Sequence, residues 1–217
     1  MKPKVLIFAS GSRDGGGSGF LHLVLNSLSG VLPVEIVGVV SNHENGGVRR
    51  IANDYQIRFF LLKSFDLGDY CRIIVQAEAE WFLLSGWLKF VYGLDPRCII
   101  NIHPGPTKDF GGDGMHGHHV HQAVLDAQAK FTAVTMHFVT EDGYDTGPTF
   151  FEYPLAVCPK DDVEALAARV NRYEHGWQSF VTWLVVSGQI YWDGIYEVHV
   201  PEWYKSMPFC PPRLKKD

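Results

Sequence analysis

The sequence predicts a doubly wound α/β fold with a mainly parallel central sheet. Two observations lead there: short apolar runs alternate with stretches of helical periodicity along most of the chain, and the first run breaks into a glycine-rich stretch that leads into a helical pattern. Strands alternating with helices pair in parallel through right-handed crossovers, which winds the sheet in both directions from its first strand.

Val5-Leu6-Ile7-Phe8 is apolar, short and bounded by turn residues, which favours a buried strand over a helix. The glycine stretch Gly11 to Gly19 follows, and Phe20 to Leu28 then places Phe20, Leu21, Leu25 and Leu28 at helical spacing. Strand, glycine loop and helix in that order make the N-terminal half Rossmann-like. Ile36 to Val40 reads as the second strand, Val48 to Tyr55 as a helix and Phe59 to Leu62 as the third strand. Between Asp69 and Glu80, Tyr70, Ile73, Ile74 and Ala77 share one helical face. Trp81 to Leu84 and Cys98 to Ile102 are too short for helices and read as strands, as do Ala133 to Val139 and Thr149 to Val157.

The longest helix is expected from Asp161 to about Ser187, with Val163, Leu166, Val170, Tyr173, Trp177, Val181 and Leu184 on one stripe. Asp161 and Asp162 suit its positive N-terminal end, and Gly188 suits its termination. Beyond it, Asp193-Gly194 between two apolar runs favours a hairpin with a two-residue turn. The proline- and aromatic-rich segment 201–217 is expected to be irregular, outside a single catalytic domain over residues 1–200.

Composition narrows the function. Of the 217 residues, 46% are hydrophobic and 20% charged, in line with one globular α/β domain. A net charge of −5 gives no basic face for a nucleic-acid partner. Cys71, Cys98, Cys158 and Cys210 lie far apart with no C-x-x-C spacing, so reduced thiols are expected. No run approaches the roughly 18 apolar residues of a membrane span, and a cytoplasmic protein is expected.

The residues suited to chemistry are concentrated in Asn101-Ile102-His103-Pro104-Gly105-Pro106. Residues two apart on a strand point to the same side, so Asn101 and His103 share a face. Pro104 ends the strand, placing His103 at its carboxyl end, where open α/β sheets bind ligands. The same pair would also serve merely to cap a turn. About forty residues on, the acidic, glycine-punctuated loop Val139-Thr140-Glu141-Asp142-Gly143-Tyr144-Asp145-Thr146-Gly147-Pro148 supplies a second polar constellation.

Taken in order, Leu84-Ser85-Gly86-Trp87-Leu88-Lys89, Asn101-Ile102-His103-Pro104, Gly117-His118-His119-Val120-His121, Thr135-Met136-His137-Phe138-Val139 and Tyr144-Asp145-Thr146-Gly147-Pro148 resemble the folate-dependent formyltransferase superfamily. The resemblance runs from about Lys4 to Gln189 and is nearest to the members that act on 5'-phosphoribosylglycinamide in purine synthesis. It implies the formyltransferase fold, with substrate phosphate held by the N-terminal half, folate by the C-terminal half and a cleft between them. It implies 10-formyltetrahydrofolate as co-substrate and Asn101, His103 and Asp145 as the catalytic trio. Gly17, Ser18, Gly19 and Glu174 would bind the acceptor. Leu88, Lys89, Phe90, Val91, Thr140 and Tyr144 would bind the folate. Small-molecule substrates, no nucleic acid, no membrane, no metal and a monomer or homodimer complete the expectation. The chain departs from the family pattern in its longer glycine loop, in Gly19 where asparagine is usual, in Lys89 where arginine is usual, and in one extra residue at Asp142-Gly143.

Other readings stay open. An amino-sugar nucleotide is an alternative acceptor for the same trio. Histidines 103, 116, 118, 119, 121 and 137 invite a metal-dependent hydrolase, although His118-His119-x-His121 is no zinc signature. The glycine loop also invites a dinucleotide site, yet it lacks a clean G-x-G-x-x-G.

Overall fold

In the computed structural model, residues 1–215 are described, and they form two compact units, Met1–Ile100 and Asn101 onward. Both are layers of sheet and helix, and the mainly parallel α/β expectation holds.

The first unit is built on β1 (Lys4–Phe8), β2 (Glu35–Ser41), β3 (Phe59–Leu61) and β4 (Trp81–Ser85), in the order β3-β2-β1-β4. All its pairings are parallel, with Ile7 opposite both Val39 and Leu83. Val5 to Phe8 are fully buried. This is why β1 reads as a continuous apolar run and not an alternating one: a central parallel strand is covered on both faces. The connecting helices are α1 (Ser18–Leu28), α2 (Gly47–Asp54) and α3 (Leu67–Ala77). Helix α3 starts two residues before the expected Asp69 because the Asp66 carboxylate accepts from the Asp69 amide at 3.0 Å. It stops three residues before the expected Glu80, because Glu78 turns into the left-handed region at φ 52°.

The second unit takes in most of β5 (Ile99–His103), then α4 (Thr107–Phe110), α5 (His118–Asp126), β6 (Phe131–Phe138), β7 (Thr149–Ala156) and α6 (Val163–Val186). Its strand order is β5-β6-β7, and β7 runs antiparallel to β6 with Val134 opposite Tyr153. Helices α4 and α5 are additions to the sequence expectation. They are short, and α5 carries three histidines in its first four positions, so its apolar face is only Val120 and Val124. Helix α6 lies within the expected bounds. The Asp162 carboxylate accepts from the Ala165 amide at 2.8 Å, and Gly188 follows the end at φ 77°.

Two expectations are corrected near the C-terminus. The hairpin of β8 (Tyr191–Trp192) and β9 (Val198–His199) closes through Asp193–Glu197, five residues in place of two. The Asp193 carboxylate accepts from the amides of Ile195, Tyr196 and Glu197, which organises a wider loop than an Asp-Gly turn would. The segment expected to be irregular forms α7 (Glu202–Lys205) and a 3-10 turn at Pro212–Lys215. The reason is burial: Tyr204 and Phe209 sit in the core, and the Tyr204 hydroxyl donates to the Phe150 carbonyl at 2.8 Å. Phe209 lies 5.3 Å from the Phe151 ring and 5.1 Å from the Trp177 ring, and its carbonyl accepts from Glu152 N at 2.9 Å. The last two residues lie outside the described part.

Truncating a buried aromatic of this kind costs both transfer energy and a cavity. Phe209→Ala is therefore expected to lower the unfolding free energy by about 3–5 kcal/mol in urea titration. A loss below about 1 kcal/mol would show that the segment merely lies on the surface.

Candidate active site

His103 ends β5, and Pro104, which has no amide hydrogen, stops the strand there. Asn101 stands two residues earlier on the same face and is half-buried, while His103 is buried. Asp145 comes from the loop between β6 and β7 and adopts φ 56°, a left-handed conformation that aspartate tolerates better than most residues. The loop is tied by Thr146, whose hydroxyl donates to the Gly143 carbonyl at 3.1 Å and lies 3.2 Å from that of Thr140.

These three side chains meet. Asp145 Oδ1 accepts from Asn101 Nδ2 at 3.2 Å, and Asp145 Oδ2 lies 3.5 Å from His103 Nδ1. Two further groups join them. His137 on β6 places Nε2 3.3 Å from Asp145 Oδ1 and 3.2 Å from Asn101 Nδ2. The Gly112 amide donates to Asp145 Oδ2 at 3.1 Å. His137 lies in the family-like segment Thr135-Met136-His137-Phe138-Val139, and its contact with Asn101 and Asp145 is an addition to the sequence expectation. Alternation along β6 puts it on one face with Ala133 and Thr135, and that signal was available.

The hydrogen bonds fix tautomers. His103 Nε2 lies 2.8 Å from the Phe110 carbonyl, which can only accept, so this nitrogen carries the hydrogen. In the neutral ring Nδ1 then presents a lone pair to Asp145. His137 Nδ1 lies 2.7 Å from the Phe138 carbonyl and by the same reasoning donates to it. A neutral His137 is left with an accepting Nε2, and the two amide hydrogens of Asn101 serve Asp145 and His137.

Titration follows this geometry. Burial pushes His103 below the usual histidine value, more strongly than the Asp145 charge raises it. Burial alone would raise Asp145. The neighbouring His137 and His103 rings and the Gly112 amide outweigh it, and the carboxyl lies below its ordinary range. The resting pair is thus a neutral imidazole beside an ionised carboxylate, ready to take up one proton between them. Nearby on α5, His121 is buried, its Nδ1 has no partner among the described residues, and burial together with His118 and His103 lowers it to about 4. His118 points outward to Glu164 at 3.1 Å. Among the described residues, no group of three or more His, Cys, Asp or Glu is arranged to hold a metal ion.

The residues expected at the acceptor are distributed over both units. In the first, Gly17 caps α1 at φ 88° and supplies no side chain to its N-terminus, which begins at Ser18 and Gly19. The preceding insertion is a closed turn: Ser12 N donates to the Gly15 carbonyl and Gly15 N donates to Ser12 Oγ, both at 2.9 Å. That turn rests on α2. A Cβ on Gly46 would lie 2.0 Å from Ser12 O, and one on Gly47 would lie 2.0 Å from Gly16 O, so only glycine permits the approach. In the second unit, Glu174 on α6 accepts from Asn171 Nδ2 at 3.4 Å, and enclosure raises its carboxyl to about 7.

Of the residues expected at folate, Leu88, Lys89, Phe90 and Val91 follow β4 in the first unit. The Leu88 amide donates to Ser10 Oγ at 3.1 Å, and the Phe90 carbonyl accepts from the Tyr70 hydroxyl at 2.7 Å. Lys89 lies over the Phe65 ring at 5.2 Å, and Val91 is buried. Thr140 and Tyr144 belong to the loop that carries Asp145 in the second unit, both exposed or nearly so.

Fold and site define an α/β core with an amide, an imidazole and a carboxylate gathered at a strand's carboxyl end, equipped for acid–base group transfer. Residues 3–182 match the formyl transferase family, and the chain belongs to that family. It is 33% identical over 210 residues to a chloroplastic phosphoribosylglycinamide formyltransferase of Vigna unguiculata, spanning 89% of this chain and 65% of that protein. The corresponding Arabidopsis thaliana protein is 30% identical over 211 residues, spanning 89% of this chain and 70% of its own length. The crystal structure of glycinamide ribonucleotide transformylase 1 from Symbiobacterium toebii superposes with a TM-score of 0.79 at 21% identity, covering 93% of this chain and 95% of that one.

The lowered His121 has a consequence for acid stability. Between pH 6.5 and about 4 the unfolded chain binds a proton that folded His121 refuses, so stability falls as pH falls through that window. His121→Leu is expected to reduce the stability difference between pH 7 and pH 4 by roughly 2–3 kcal/mol in urea titrations. An unchanged difference would mean that His121 is solvated.

Proposed function

We propose that the protein transfers the formyl group of 10-formyltetrahydrofolate to the amine of 5'-phosphoribosylglycinamide, forming formylglycinamide ribonucleotide. The observation that carries this reading is the convergence of Asn101 and His103 on Asp145, at 3.2 and 3.5 Å from its carboxylate, in a formyl transferase.

In this reading the substrate amine attacks the formyl carbon, a C–N bond forms, and the carbonyl oxygen becomes an oxyanion. Asn101 donates to that oxygen, which takes over one of the amide hydrogens held at rest by Asp145 and His137. The amine's proton passes to the His103–Asp145 pair, directly or through a water. There the ring can bind it at Nδ1, facing the carboxylate. The C–N10 bond then breaks, the oxyanion returns to a carbonyl, and the proton is delivered to the leaving nitrogen. The Gly112 amide, donating to Oδ2, keeps the carboxylate ionised and aimed. No nucleophilic side chain is used.

The substrate phosphate is assigned to Gly17, Ser18 and Gly19, where uncrowded backbone and the positive pole of α1 favour an anion. Glu174 is assigned to the ribose hydroxyls. The pterin is assigned to the 88–91 segment with Thr140 and Tyr144. The proposed setting is the cytoplasm; among the described residues no helix is long and apolar enough to cross a membrane.

A spectrophotometric assay with 10-formyltetrahydrofolate tests the reading, with 5'-phosphoribosylglycinamide run beside amino-sugar nucleotides. Turnover is expected only with the glycinamide. Release of formate without any amine would instead identify a hydrolase. His103→Ala and Asp145→Ala are each expected to lower kcat by at least about a hundredfold while circular dichroism is kept. Rates within about threefold of wild type would remove both residues from the mechanism.

If Glu174 accepts hydrogen bonds from ribose as a carboxylate, KM for the glycinamide should fall as pH rises through about 7. Glu174→Gln should flatten that dependence and leave kcat nearly unchanged. A pH-dependent KM that survives the substitution would assign the titration elsewhere.

A further inference from the structure

We infer that the first unit carries a second small-molecule site, beside Gly17–Gly19 at the start of α1 but not lined by them, suited to a phosphorylated sugar. A cavity of about 450 Å³ opens where β2 and β3 end. Its walls include Arg13 from the inserted turn, Asn42 and Glu44 just after β2, and Leu61 and Lys63 at the end of β3. Gly17, Ser18 and Gly19 are not among them. Carboxyl ends of parallel strands are where open α/β sheets receive ligands.

Charge selects the first feature of the ligand. Two cations face one carboxylate in these walls, so the cavity is locally positive in a chain of net charge −5. Lys63 Nζ is 3.9 Å from Glu44 Oε2, and both side chains are largely exposed. Such a pair holds little energy, so Lys63 can turn toward a ligand. Arg13 is better prepared. Its backbone is fixed inside the Ser12–Gly15 turn, which is further held by Arg50 Nη2 donating to the Asp14 carbonyl at 2.8 Å. A guanidinium on a fixed stem suits a phosphate, whose oxygens its fork matches.

The second feature comes from Asn42. Its Oδ1 is buried and has no partner among the described residues, while Nδ2 lies 3.4 Å from His43 Nε2. An amide oxygen only accepts, and a phosphate dianion has no hydrogen to give. A bare anion therefore leaves this atom unsatisfied, whereas a hydroxyl satisfies it. The Glu44 carboxylate offers further acceptor positions for hydroxyls. Leu61 provides one apolar wall for the face of a sugar. The volume lies within the range of small-ligand pockets. Phosphate on Arg13 and Lys63 with hydroxyls on Asn42 and Glu44 describes a pentose phosphate, free or as part of a nucleotide.

The test must silence the α1 loop, where a pentose phosphate would also bind under the proposed function. Gly19→Asp does so: an acidic residue in the first turn of α1 suits the helix and repels a phosphate. In that background, calorimetric titration with ribose 5-phosphate is expected to show one binding event per chain. Adding Arg13→Ala and Lys63→Ala, both at exposed positions, should weaken it at least about tenfold, the loss of one or two charged hydrogen bonds. Inorganic phosphate should bind at least about tenfold more weakly than the sugar phosphate, and adenosine without phosphate should not bind. No heat with ribose 5-phosphate in the Gly19→Asp protein would overturn the inference. So would binding indifferent to the Arg13 and Lys63 substitutions, or equal affinity for inorganic phosphate. None of these outcomes depends on formyl transfer being observed.

Discussion

The carboxylate of Asp145 is the constraint on which the proposed active site depends. Its side chain is only 11% exposed, and a buried carboxylate without partners is costly. Asn101 on β5 and the Gly112 amide after α4 donate to it, and His103 on β5 and His137 on β6 lie within 3.5 Å of its oxygens. Meeting it also draws the β6–β7 loop inward, with Asp145 held at φ 56°. Moving any one of these elements would leave a charge or a polar atom unsatisfied, so one electrostatic demand fixes the geometry of several segments at once.

The same demand sets protonation. Because the carboxyl stays ionised and burial keeps His103 neutral, the pair rests with one proton fewer than it can hold. That is the state a reaction needs if it must take a proton from an attacking amine. Asn101 is held in the opposite sense, with both amide hydrogens engaged until a stronger acceptor arrives. The donor is thus held in place before the reaction and only exchanges one acceptor for another when the oxyanion forms.

Much of this was legible in the sequence. The strands were readable because buried parallel strands are continuous apolar runs, and α6 because its stripe is long and its caps are aspartates. Asn101 and His103 were readable from strand alternation and the proline that follows them. Asp145 was placed only by resemblance to relatives, since nothing local tells an acidic loop that folds inward from one that stays in water. Helix α5 was hidden by its histidines. The order of the C-terminal segment was hidden because Tyr204 and Phe209 act through packing with residues far away in sequence. His137 was visible as a residue and invisible as a partner, because its contacts cross from one strand to another. The closed Ser12–Gly15 turn could not be read either: its shape depends on Gly46 and Gly47, thirty residues on.

The state of the His103 ring is the most direct measure of this electrostatic design. Long-range proton–nitrogen NMR of the imidazoles, with His103→Gln to assign the signal, reports tautomer and charge together. At pH 7 a neutral ring with its hydrogen on Nε2 is expected, and it should still predominate at pH 6.5. An imidazolium at pH 7, or a neutral ring protonated on Nδ1, would contradict the arrangement of His103 and Asp145 described above.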